Sequence, residues 1–157
     1  MSELWNHIYV FLLSMVPVLE LRFAIPVGFG LGLPIYTNYL VSVLGNFLPV
    51  PFILLFIRRI LEWMKTTRRF SKIALWLEEK AEKHSDKVTR YATFGLFLFV
   101  AIPLPGTGAW TGALVAALLR MRMKYALPSI LLGVMTAGLI MVLATYSVVG
   151  IFNFFFP

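Results

Sequence analysis

The sequence contains no cysteine, so disulfides, thiol nucleophiles and thiolate metal centres are excluded. Its two histidines, His7 and His84, lie outside the apolar segments, which leaves no imidazole to act as an intramembrane base or ligand. Acid is scarce. Of seven Asp and Glu, five fall between residues 58 and 90, one is Glu3, and the last is Glu20. A single acid in an apolar stretch cannot form a water-activating carboxylate pair or a metal cluster. The chain therefore reads as no enzyme, with no cofactor and no metal. Charge is also missing from the long runs 35–57, 91–119 and 125–157.

What is present is apolar surface. The 157 residues are 60% hydrophobic and 13% charged, the composition and length of a single membrane domain. Ten of the fourteen Lys and Arg lie between Arg58 and Arg90; the rest are Arg22, Arg120, Arg122 and Lys124. Basic clusters beside apolar spans fit cytoplasmic loops and anionic headgroups, and make nucleic acid a poor partner. Residues 1–7 carry no Lys or Arg, and the apolar run behind them meets Pro17 and Glu20. It is not read as a cleaved signal peptide.

The stretch Pro17 to Pro26 holds the only ionisable side chains inside the early apolar segments, Glu20 and Arg22. A charge at the centre of a spanning helix costs roughly 2.5–3.5 kcal/mol or more, so both need a partner or a wet cavity. Pro17 and Pro26 predict breaks, and a non-helical stretch between them would turn both charges into one cavity. The flanking apolar arms are too short to span, which predicts a re-entrant hairpin over 8–33, followed by a span over 35–57 kinked near Asn46. Residues 58–90 read as an amphipathic helical linker on the cytoplasmic side. Residues 91–119 are too long for one span and too short for two. Pro103 and Pro105 mark their break, and basic flanks keep both ends on one side, which predicts a second hairpin. The last span is 125–154.

The order is hairpin plus span, twice, in opposite senses. Residues 1–57 form one repeat and 91–157 the other, with the linker between and both termini outside. Inverted repeats whose broken helices meet near the midplane mark transporters. The expected fold is thus an all-α integral membrane protein with two opposed re-entrant hairpins in one domain.

Arg22 is the natural anion ligand at the first tip, or else a tie to carbonyls exposed by the opposing break. Glu20 is the candidate proton-coupling group, or a permanent partner of Arg22; burial and the arginine act on it in opposite senses. In the second tip, Thr107 is a candidate N-cap, and Gly106 and Gly108 allow amides to converge on an anion at a helix start; a tight turn would need the same residues. Trp110 lines the cavity or packs. Arg120, Arg122 and Lys124 steer a lipid headgroup or anchor the topology.

The segments Glu20-Leu21-Arg22-Phe23-Ala24-Ile25-Pro26 and Ile102-Pro103-Leu104-Pro105-Gly106-Thr107-Gly108-Ala109-Trp110-Thr111-Gly112 resemble the signatures of the small multidrug export protein family. More distantly, the Ile-Pro core and Met123-Lys124-Tyr125 resemble the DedA/VTT (SNARE-associated Golgi protein) superfamily. That resemblance implies two opposed hairpins in a prokaryotic cytoplasmic membrane and a carrier or flippase of an anionic lipid such as undecaprenyl phosphate. The chain departs from the DedA pattern at the second tip, where Thr107 and Gly108 stand in place of arginines, and at Phe23, where a small residue is expected. The expected partners are the bilayer and the anionic lipid, and the Gly-rich spans leave room for a homodimer. The rivals are a small-molecule or multidrug efflux pump, and a non-transporting scaffold or lipid scramblase.

Overall fold

The computed structural model describes residues 2–66, 86–104 and 106–155. Seven helices follow in order: α1 (Ser2–Met15), α2 (Glu20–Gly30), α3 (Ile35–Phe47), α4 (Pro49–Thr66), α5 (Asp86–Ala101), α6 (Ala109–Leu118) and α7 (Met123–Phe155). No strand occurs among the described residues.

The first break falls where Pro17 predicts. α1 stops at Met15, and the chain turns through a Glu20 N–H bond to the Val16 carbonyl at 3.0 Å. The expected second break does not exist: Pro26 lies inside α2. A proline there removes the hydrogen bond that its own N–H would make and crowds the carbonyl one turn back, a cost of about 3 kcal/mol that packing must offset. Burial of Leu21, Ala24, Ile25 and Gly28 on one face of α2 holds the helix through it. Glu20 and Arg22 are consequently the first and third residues of a helix, not members of an extended segment. They leave it in different directions.

The run 35–57 folds as α3 and α4, joined at Leu48. Ile35–Trp63 and Met123–Val148 are long and apolar enough to cross a membrane. α4 continues to Thr66 and α5 starts at Asp86, so most of the linker expected over 58–90 lies outside the described residues. The second break spans residues 102–108, between α5 and α6. Pro103 falls within it; Pro105 lies outside the described residues.

α1 packs on α2 and α3, and α5 packs on α7. The second arms cross over: α2 lies against α7, and α6 lies against α4. The shared core is built from small residues, including Ala109, Ala113, Ala116, Ala117, Ala126 and Ala137, all buried. Small side chains let helices approach closely, the source of association where both helix and surroundings are apolar. Gly45 and Gly133 do this most directly. A Cβ at Gly45 would run into the Phe11 carbonyl of α1, and one at Gly133 would lie 2.7 Å from Val100 Cβ and 3.0 Å from the Phe97 carbonyl of α5. The outer surface is strongly apolar: Trp5, Tyr36, Phe52, Phe56, Leu143 and Val148 are each more than 60% exposed. A band of that size fits lipid better than water.

α2 and α6 end alike. At the first corner the N–H groups of Leu31, Gly32 and Leu33 reach the carbonyls of Val27, Phe29 and Gly28. At the second, those of Leu119, Arg120 and Met121 reach Val115, Ala117 and Ala116. Gly32 (φ +76°) and Arg120 (φ +52°) hold the same left-handed position in the two corners.

Candidate functional site

A broken helix leaves carbonyls without donors at one end and amides without acceptors at the other. The second break has both, at the end of α5 and the start of α6. The first helical turn of α2 supplies a charge to each.

Arg22 serves the α5 side. Its guanidinium donates to the Leu104 carbonyl through Nη1, and through Nη2 to Thr107 Oγ1 at 2.7 Å and the Ile102 carbonyl at 3.5 Å. A cation beside the C-terminal carbonyls of a helix also complements its dipole. Thr107 is not the N-cap of α6. Its hydroxyl oxygen lies 2.8 Å from each of the Ile102 and Leu104 carbonyls and 3.3 Å from the Leu104 N–H. It faces the end of α5, where the Ile102 and Leu104 carbonyls converge.

Glu20 serves the α6 side. The N-cap of α6 is Gly108 (φ +141°), which offers no capping side chain. The Glu20 carboxylate, 4% exposed, takes that place from another helix: Oε1 accepts the Trp110 N–H at 3.4 Å. A carboxylate at a helix start satisfies an amide and complements the dipole. The fit is tight, since a Cβ at Gly108 would overlap the carboxylate. Glu20 reaches it from a left-handed backbone, φ +51°, a conformation costing a non-glycine residue roughly 1–2 kcal/mol. Such an outlier marks a place where the surroundings dictate the geometry.

Trp110 closes the arrangement. It is half-buried, and its indole Nε1–H donates to the Met15 carbonyl at 3.1 Å, satisfying the end of α1. Each break thus satisfies backbone groups of the other. Among the described residues no ion pair joins Glu20 to Arg22; the two charges go to separate partners.

The structure brings together Glu20, Arg22, Thr107, Gly108 and Trp110. Gly106 (φ +82°) is exposed at the rim and faces open space. Pro17 and Pro103 shape the two breaks. Arg120, Arg122 and Lys124 lie beyond the far end of α6, about 15 Å from its start by helix rise. Arg122 and Lys124 are exposed, with Lys124 Nζ 5.0 Å from the Tyr125 ring. Among the described residues no group of His, Cys, Asp or Glu could hold a metal.

Two features escape a reading of the sequence. Arg58, at the margin of a span, donates to the Met121 carbonyl beyond α6, a second arginine on helix-end backbone. Asn38 is fully buried and donates to the Ile25 carbonyl of α2 at 2.9 Å. An asparagine inside an apolar span was the available signal, and it pointed equally to Asn46, which is buried too.

Comparison with known proteins agrees with the two motifs. The family model described as "Putative small multi-drug export protein" matches residues 20–140, and the chain belongs to that family. No curated protein and no solved structure matches it. A transport family and two spanning-length apolar helices are together consistent with a membrane protein.

Proposed function

We propose that this member of the small multi-drug export family is a membrane carrier for an anionic lipid, with a polyprenyl phosphate such as undecaprenyl phosphate as the substrate class. The observation that carries the reading is the carboxylate of Glu20 seated at the start of α6 with Arg22 close in sequence and on the same break. An amide-rich helix start next to a guanidinium is chemistry for a phosphate. In the structured state the protein's own carboxylate takes the amide and its own carbonyls take the guanidinium. A lipid phosphate replaces the first and recruits the second. Glu20, released from α6, is then free to carry a proton.

The architecture in this proposal is two re-entrant hairpins, α1–α2 and α5–α6, entering from opposite faces. Three observations support it. The short arms cannot span alone. The second arms pack reciprocally on the long helix of the other half. The paired corner residues, Leu31 with Leu119, Gly32 with Arg120 and Leu33 with Met121, stand 88 residues apart in each case. By the positive-inside rule, the basic region after residue 58 supports a cytoplasmic end for α4, with both termini outside. The DedA/VTT resemblance, with a prokaryotic inner-membrane location, fits the same design.

The test is reconstitution. Protein in liposomes is expected to move a labelled polyprenyl phosphate between leaflets, and Arg22→Ala and Glu20→Gln to stop it. Flipping that survives both unchanged removes the assignment. A second reading, proton-driven efflux of a small molecule, is favoured by the family description. Movement of a cationic dye down a pH gradient, with no lipid movement in the same liposomes, selects it. Arg22 and the positive end of α6 both weigh against a cationic substrate.

A further inference from the structure

The two halves differ along one seam. On α3, Asn38, Ser42 and Asn46 recur every fourth residue; Asn38 meets α2 at the Ile25 carbonyl, and Ser14 lies on the side of α1 that meets Gly45 of α3; all four are buried. Eighty-eight residues on, α7 carries Ala126, Ile130 and Val134, and on α5 Val100 stands against Gly133 as Ser14 stands against Gly45; these are buried as well. At these three α7 positions the second half packs with apolar side chains; the polar residue buried on α7, Ser129, donates to the Tyr125 carbonyl of its own helix. The polar groups of the first half are therefore not demanded by the fold.

They also run along α3 from the corner where α2 ends toward the level of the tips. Asn6 Nδ2, 3.5 Å from the Leu31 carbonyl, and Thr37 stand at the outer end, both partly or fully exposed. Asn38 follows, bonded to the Ile25 carbonyl. Ser42 Oγ donates to Asn38 Oδ1 at 3.5 Å. Asn46, one turn further, is 1% exposed, and its Oδ1 has no hydrogen-bond partner. Its neighbour Gly45 meets Phe11 and Ser14 of α1. Beside Ser14, the Met15 carbonyl accepts the Trp110 indole, and the Trp110 amide reaches Glu20. Eight residues of helix cover about 12 Å, a large part of half a bilayer core. An unpartnered amide oxygen at such a depth is costly.

We propose that the α1–α3 seam is a hydrated access path along Asn38, Ser42 and Asn46, carrying water and protons to Glu20 from the face where α2 ends. The matching α7 positions Ala126, Ile130 and Val134 are apolar, and that seam serves as the fixed support. The path would make Glu20 reachable from one side only while the two tips are engaged, the asymmetry an alternating carrier requires. This rests on the reading of Glu20 as the coupling group.

The natural absence of cysteine makes the test direct. Single-cysteine variants Ser42→Cys, Asn46→Cys, Ile130→Cys and Val134→Cys are reconstituted as full chains and exposed to a charged, water-soluble methanethiosulfonate. The first two should react at least about tenfold faster than the last two, since a polar reagent enters only wetted space. Equal rates within the pairs overturn the proposal. Asn46→Val, which installs the residue of the other half, provides a readout without labelling. It should raise the melting temperature in detergent and slow flux driven by a pH gradient; a lowered melting temperature or unchanged flux counts against the path. Labelling does not require transport. Asymmetric labelling in a protein that moves no lipid would defeat the carrier reading alone, and symmetric labelling in an active carrier would defeat the path alone.

Discussion

The break between α1 and α2 and the break between α5 and α6 are built from opposite materials. The first is short and leads directly into a helix turn bearing Glu20 and Arg22. The second is longer, uncharged and rich in glycine and proline; its chemistry is exposed backbone. Neither is self-sufficient in an apolar surrounding, where each unsatisfied polar group costs several kcal/mol. Together they are: the carboxylate caps α6, the guanidinium takes the end of α5, and the indole of Trp110 takes the end of α1. The difference teaches that the tips are complementary halves of one polar unit. Separating them exposes everything each had satisfied.

The largest effect is expected at Gly108. Gly108→Leu forces side-chain atoms into the space of the Glu20 carboxylate and imposes a left-handed backbone on a branched residue. We expect a loss above about 4 kcal/mol and no monodisperse protein by fluorescence-detected gel filtration. Gly106→Leu in the same break meets only the backbone cost and should remain foldable. Equal behaviour of the two would dissolve the idea of a tight contact between tips.

Next comes Arg22→Ala, which removes the charged donor from the Leu104 and Ile102 carbonyls and leaves them the neutral Thr107 hydroxyl and local backbone N–H groups. A loss of about 3 kcal/mol in detergent melting is expected, by analogy with breaking a buried charge-assisted pair. Glu20→Gln should cost less, about 1 kcal/mol, because the amide oxygen can still accept the Trp110 N–H. If the order of these two is reversed, the anion at α6 and not the cation at α5 is the stronger half of the brace.

Gly45→Ala and Gly133→Ala test equivalence of the halves. Each pushes a methyl into the facing arm, at Phe11 and Ser14 or at Val100 and Phe97. Similar losses of about 1–3 kcal/mol are expected for this overpacking. A large inequality would indicate that one arm yields and the other does not. The smallest effect is Gly32→Ala. No atom lies within 4 Å of the added Cβ, so only the left-handed φ is penalised, by about 1 kcal/mol on thermal melting.

Composition and periodicity alone determined that the chain is helical, apolar and carries its rare charges beside a proline, because burial and helix breaking act on local sequence. The positions of the Pro17 break and of the gap near Pro103 were legible for the same reason. Pro26 was misread because its effect depends on what surrounds it. A buried face keeps α2 helical through the proline, and no local rule contains that face. The partners of Glu20 and Arg22 were decided only by tertiary structure. They lie 80 or more residues away in the chain, on a backbone whose amides and carbonyls leave no trace in side-chain identity. The sequence shows that a charge needs satisfying; only the fold brings the helix end that satisfies it.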